Sequence, residues 1–140
     1  MYDVTLSKKE SYFESRIFVA GKKYKISKLP WGKLGMSVCY DLRFPNLFRK
    51  LAKQGSEVIL MPAAFTVPSG KAHWEIMLRS RAIENSLFLI ATNMCGTHHT
   101  NRKTYGHSML INPWGEIISK AKSKPSIFCN FSFFADSTTK

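Results

Sequence analysis

Acidic residues are scarce: nine Asp and Glu stand against 21 Lys and Arg in 140 residues, a formal net charge of +12 at pH 7. So lopsided a balance can mark a nucleic-acid or anionic-membrane surface. The lysines are scattered, however, with Lys22, Lys23, Lys25, Lys28 and Lys33 near the start and Lys120, Lys122 and Lys124 near the end. No RNA-binding aromatic motif, zinc-finger spacing or helix-turn-helix pattern accompanies them, so neither nucleic acid nor membrane is expected as a partner. Long apolar runs are also lacking, and none approaches the about 18 residues that a membrane-spanning helix needs. The opening MYDVTLSKKE is neither an apolar signal segment nor an Arg- and Ser-rich transit peptide. Cysteine is sparse and odd in number (Cys39, Cys95, Cys129), which argues against a disulfide framework and for a reducing, cytoplasmic setting. There are no internal repeats. What remains is one modest domain, 44% hydrophobic, with enough apolar surface for a core.

Local patterns give an order of elements. KKYKIS (22–27) alternates weakly, LPWGK (29–33) reads as a turn, and KLGMSVC (33–39) as the returning strand. PNLFRKLAKQG (45–55) carries helix punctuation: Pro45 suits a first turn, Leu47, Phe48, Leu51 and Ala52 share a face, and Gly55 can close it. EVILMP (57–62) and LFLIATNM (87–94) are continuous apolar runs, as expected of strands buried on both faces. Between them AHWEIMLRSRAIENS (72–86) keeps helical spacing at Trp74, Met77, Leu78, Arg81 and Ala82. A polar loop, CGTHHTNRKTYGH, leads to strands SMLIN (108–112) and EIISK (116–120) about the turn NPWG, and then to a last strand, SIFCNFS (126–132). Strands alternating with helices predict an α/β arrangement in which helices cover one face of a sheet. The other face is apolar too and calls for a second layer.

One residue raises a chemical question. In GMSVCYDLRFP, Cys39 ends an apolar run just before a charged turn and a helix. The carboxyl end of a parallel strand is where such folds present functional groups, and the Tyr40 N–H would be free there to face a developing oxyanion. A thiol with an ordinary pKa is only about 3% thiolate at pH 7, so Cys39 needs a base. His73, His98, His99 and His107 are candidates, and nothing in their spacing selects one. Cys95 and Cys129 read as packing residues. His98, His99, His107 and Cys95 match no structural zinc spacing, so no metal is expected.

GMSVCYDLRFP resembles the nucleophile motif of the nitrilase superfamily, the carbon–nitrogen hydrolases. The resemblance continues through VILMPAAFT, GKAHWEIMLRSRAIEN, YGHSML and NPWGEI, over roughly residues 10 to 120. It implies half of a four-layer αββα sandwich and hydrolysis of a non-peptide amide bond through a cysteine thioester, releasing ammonia, with no metal or organic cofactor. The loop CGTHHTNRKTYGHS looks most like the Nit branch, which implies deaminated glutathione or an ω-amide as substrate. Cys39 matches the nucleophile, with the Tyr40 N–H in the oxyanion hole. Glu14, 25 residues before Cys39, matches a glutamate that supports the family's lysine and the substrate amide. Arg102 and Lys103 would border the substrate pocket, available to a carboxylate.

Two members of the family's glutamate–lysine–glutamate–cysteine set have no match here. The lysine stands directly before the stretch that MYD resembles, and the general-base glutamate lies further upstream. Residues 1–140 are therefore expected to be the C-terminal half of one domain, impaired by truncation, with 121–140 a divergent tail. The alternative is a non-catalytic remnant or one subunit of a split amidase. The implied partners are a small amide, a second copy of the chain, or a complementing N-terminal half. Arg43 is expected to fix the turn through a carboxylate such as Asp41. Arg81–Glu84 and Glu75–Arg79 are spaced as helix-surface ion pairs, with Glu84 a structural support.

Overall fold

The computed structural model describes residues 3–7, 10–99 and 101–127. Strands β1 (Asp3–Ser7) and β2 (Glu10–Phe13) pair antiparallel as a separate hairpin. Nothing in the sequence signals it, because SKKE contains none of the Gly, Asn or Asp pairs that announce a tight hairpin. A single 3₁₀ turn, Glu14–Arg16, follows. Strand β3 (Ile26–Leu29) then meets β4 (Gly32–Met36) across Pro30 and Trp31, with Leu29 paired to Gly32 as the LPWGK turn requires.

The main sheet has six strands in the order β10-β9-β6-β5-β4-β3, counting β5 (Val58–Ala63), β6 (Phe88–Asn93), β9 (Met109–Ile111) and β10 (Ile117–Lys120). The central pairs β4–β5 and β5–β6 are parallel, whereas β3, β9 and β10 join antiparallel. Each parallel connection carries a helix. Helix α1 (Pro45–Lys53) has Pro45 in its first turn, buries Phe48 and Leu51, and ends before Gly55, whose φ of 87° is open to glycine at little cost. The second connection is helical from Val67 to Asn85. It comprises a short α2 (Val67–Ser69), a π turn (Gly70–Trp74) and α3 (Glu75–Asn85). Sequence periodicity sees a single helix here. The π turn forms where Gly70 lies against the Tyr105 ring, so closely that a Cβ would stand 2.3 Å from the ring.

Helices cover one sheet face. Trp74, Leu78 and Ala82 of the second connection and Phe48 and Leu51 of α1 pack on Ile59, Met61, Leu89, Ala91, Met109 and Ile111. Because side chains alternate along a strand, Leu60 and Ile90 point the other way. The register aligns Met36, Leu60, Ile90 and Leu110 in one apolar row across that second face. Met36 there is 48% exposed. The loop expected between 95 and 107 contains a small hairpin of β7 (Cys95–Thr97) and β8 (Lys103–Tyr105). From residue 128 the expected last strand, Cys129 with it, lies outside the described residues. No described helix is long and apolar enough to cross a membrane.

Candidate active site

Cys39 stands three residues past the end of β4, because the strand expected over 33–39 ends at Met36. Ser37 N–H still donates to Leu60 O of β5 at 3.1 Å, which carries the strand direction forward. Val38 remains extended, and Cys39 then opens the 3₁₀ turn Cys39–Arg43 with φ of 46°. A left-handed residue with a side chain costs about 1–2 kcal/mol, so the surroundings must enforce it. Asp41 does so locally. Its Oδ2 accepts the Val38 N–H at 2.9 Å, and its own N–H donates to Val38 O at 2.9 Å.

Burial pushes the Cys39 thiol above its ordinary pKa of 9.0. A hydrogen bond with the Ala64 backbone pulls the other way, the Glu14 carboxylate raises it further, and the Arg102 guanidinium and the Tyr40 backbone lower it. The Tyr40 and Ala64 backbones therefore lie against the sulfur and the charges of Glu14 and Arg102 reach it, three of the four being residues expected from sequence. Ala64 was not. It directly follows β5, and its carbonyl accepts from Arg102 Nη2 at 2.8 Å. The neighbouring Phe65 N–H donates to Oδ1 of the buried Asn93 at 2.9 Å, while Asn93 Nδ2 donates to Gly106 O at 2.8 Å. Arg102 and Asn93 thus grip adjacent residues of the loop beside the thiol. The only sequence signal for Asn93 is an amide ending an apolar strand. A backbone amide such as that of Ala64 leaves none.

Other sequence expectations change. Arg43 does not pair with Asp41, which is committed to Val38. Its guanidinium lies 5.3 Å from the Tyr40 ring centroid and 5.9 Å from that of Phe65, and Nη2 donates to His73 Nδ1 at 3.3 Å. Flat guanidinium over aromatic faces replaces the ion pair. His98 Nε2 is 2.7 Å from Thr104 Oγ1, and His107 Nδ1 donates to Tyr105 O at 2.7 Å, so both bond within their own loop. Glu75 reaches Lys120 at 2.6 Å rather than Arg79, whose Nε donates to Gly115 O at 2.8 Å. Lys103 is exposed on β8, and Arg102 is half-buried. Glu84 does support structure, bonding Arg81 at 2.9 Å, but Arg81 is buried and the pair is not a surface one. Among the described residues no three His, Cys, Asp or Glu cluster as a metal site would require.

A thiol held above its ordinary pKa is a poor nucleophile until a base relieves it. Folding favours its neutral form, so its contribution to stability is complete below the unfolded thiol's pKa and is lost as pH rises through the folded value. Peptide-resolved iodoacetamide labelling of the folded chain is expected to show Cys39 reacting slowly at neutral pH, with a midpoint above 9.0. A midpoint near or below about 7, the range of activated thiols, would contradict the described environment.

Comparison with known proteins places the chain in a family. The family model for carbon-nitrogen hydrolases matches residues 3–127. A deaminated glutathione amidase from Synechocystis sp. is 44% identical over 129 residues, covering 91% of this chain and 47% of that protein. The chain therefore spans about half the length of this relative. The C. elegans NitFhit crystal structure superposes with a TM-score of 0.81 at 38% identity, over 89% of this chain and 30% of that one. An amidase mutant from Nesterenkonia sp. with an acetamide moiety added covalently at its active-site cysteine matches with a TM-score of 0.73 at 27% identity, over 81% of this chain and 43% of that one. With a half-buried cysteine on a left-handed turn three residues past a parallel strand, and a family match over nearly all its length, the chain belongs to the carbon–nitrogen hydrolase family.

Proposed function

We propose that this chain is the nucleophile-bearing half of an amidase that opens a small amide through a thioester on Cys39, expels the amine and frees the acid by hydrolysis of the thioester. The observation that supports it most is Cys39 itself, in a left-handed turn with the Ala64 and Tyr40 backbones beside its sulfur. Attack of the thiolate on an amide carbonyl would place negative charge on oxygen, and the Tyr40 N–H is the donor we assign to it. Glu14 would orient the substrate amide together with a lysine supplied by a preceding segment. A glutamate from that segment would take the thiol proton and return it to the leaving amine. The raised thiol pKa fits this division of labour, because Glu14 opposes ionisation instead of promoting it. Arg102 and Lys103 remain our candidates for a substrate carboxylate, although Arg102 is also bonded to Ala64 O. Deaminated glutathione is the proposed substrate, on the strength of the relatives that carry that name, with shorter ω-amides as its rivals.

The apolar row Met36–Leu60–Ile90–Leu110 favours a second protein layer against the sheet, whether from the same chain, a second copy or a separate polypeptide. Mixing this chain with the upstream half of a deaminated glutathione amidase is expected to release cysteinylglycine from deaminated glutathione, where each part alone releases almost none. No cleavage by a mixture that demonstrably forms a complex would favour the alternative, a non-catalytic remnant that keeps the fold.

A further inference from the structure

Arg81 is 8% exposed, although its spacing from Glu84 suits a solvent-facing pair. A buried guanidinium is tolerated only when its N–H groups are satisfied, and this one divides them between two elements. Nη1 donates to Glu84 Oε1 at 2.9 Å within α3, while Nε crosses to the Leu42 carbonyl at 3.0 Å. Leu42 is fully buried inside the turn that Cys39 opens. The guanidinium also lies 5.7 Å from the Phe48 ring centroid of α1, and Glu84 Oε2 is 3.6 Å from Arg49 of the same helix. One side chain thus joins the turn, α1 and α3 directly behind the cysteine.

We propose that Arg81 is a positioning residue, holding the left-handed Cys39 turn in register by gripping the Leu42 carbonyl. Asp41 fixes the start of the turn at Val38, and Arg81 fixes its far end. Between two such anchors the strained φ of Cys39 cannot relax towards the ordinary region. Glu84 orients Arg81 and acts on the turn only through it. The functional consequence rests on the amidase proposal, but the geometric claim does not.

Labelling of the full chain separates the two, since it needs no turnover. In folded Arg81→Met, Cys39 is expected to react with iodoacetamide about tenfold faster at pH 8, the effect of lowering a thiol pKa by about one unit as the turn opens to water. Its midpoint falls towards 9.0 while the Cys95 rate stays unchanged. Arg81→Lys, whose single ammonium lacks the planar fork, is expected to fall between, and it serves alone if Arg81→Met does not fold. Glu84→Gln is expected to lower the melting temperature yet leave Cys39 labelling near that of the parent. Unchanged Cys39 labelling in folded Arg81→Met and Arg81→Lys, or equal acceleration at Cys39 and Cys95, would reduce Arg81 to general support and overturn the proposal. In a mixture active as an amidase, Arg81→Lys should lower kcat with little change in KM; if no mixture is active, the labelling outcome still decides.

Discussion

Cys39→Ala in the complemented protein abolishes amide hydrolysis, by about 10⁴-fold or more in kcat, while the complex still forms and still binds substrate. The size of the effect follows from the chemistry. The described charged neighbours of Cys39, the Glu14 carboxylate and the Arg102 guanidinium, offer no comparable nucleophile, and three histidines bond elsewhere: His73 to Arg43, His98 to Thr104, His107 to Tyr105. Water left in the site could attack the carbonyl only without covalent activation. Cys39→Ser should be nearly as inactive, because a hydroxyl ionises far less readily than a thiol and the site already opposes ionisation. Retention of more than about a tenth of the rate in either variant would remove Cys39 from the mechanism.

The second large effect concerns the fold. Trp74 is fully buried, its ring 4.9 Å from that of Phe65, and its Nε1–H donates to His107 O at 2.8 Å. It ends the π turn and closes the core beneath the Ala64–Phe65 loop. Trp74→Ala is expected to cost about 3–5 kcal/mol, the usual loss for emptying a buried tryptophan site, and to lower the melting temperature by about 10 °C or more. Against a total stability of about 5–15 kcal/mol, much of the chain would then be unfolded near body temperature. Trp74→Phe keeps the aromatic contact, loses the bond to His107, and should cost about 1–3 kcal/mol. A difference below about 1 kcal/mol for the alanine variant, by thermal or urea unfolding, would show that Trp74 is not a keystone of this core.

Much of this arrangement is legible from residue order. The α1 face (Leu47, Phe48, Leu51, Ala52) and the face of the second helical connection (Trp74, Met77, Leu78, Arg81, Ala82) follow from helical periodicity, and each turns its apolar side inward as that period requires. Runs such as VILMPA are readable as central strands because both faces must be apolar. The site is only partly readable. Cys39 stands out because a motif surrounds it, whereas the Ala64 backbone beside it could belong to any residue. Arg81 and Glu84 show the converse failure. Their spacing of three is the same for a solvated pair and for a buried clamp, and only the Leu42 carbonyl, 39 residues away in sequence, distinguishes the two. The π turn eluded periodicity, and the Tyr105 ring that lies against its Gly70 also comes from a distant segment.

The most direct measurement is an acid quench of the complemented protein during turnover of a carboxamide substrate, followed by mass analysis of the peptide that contains Cys39. The account requires a species heavier by the acyl group, on Cys39 and on no other residue, formed as ammonia appears and released by hydroxylamine. Steady ammonia production with Cys39 unmodified at every time point, in protein that turns over, would contradict it.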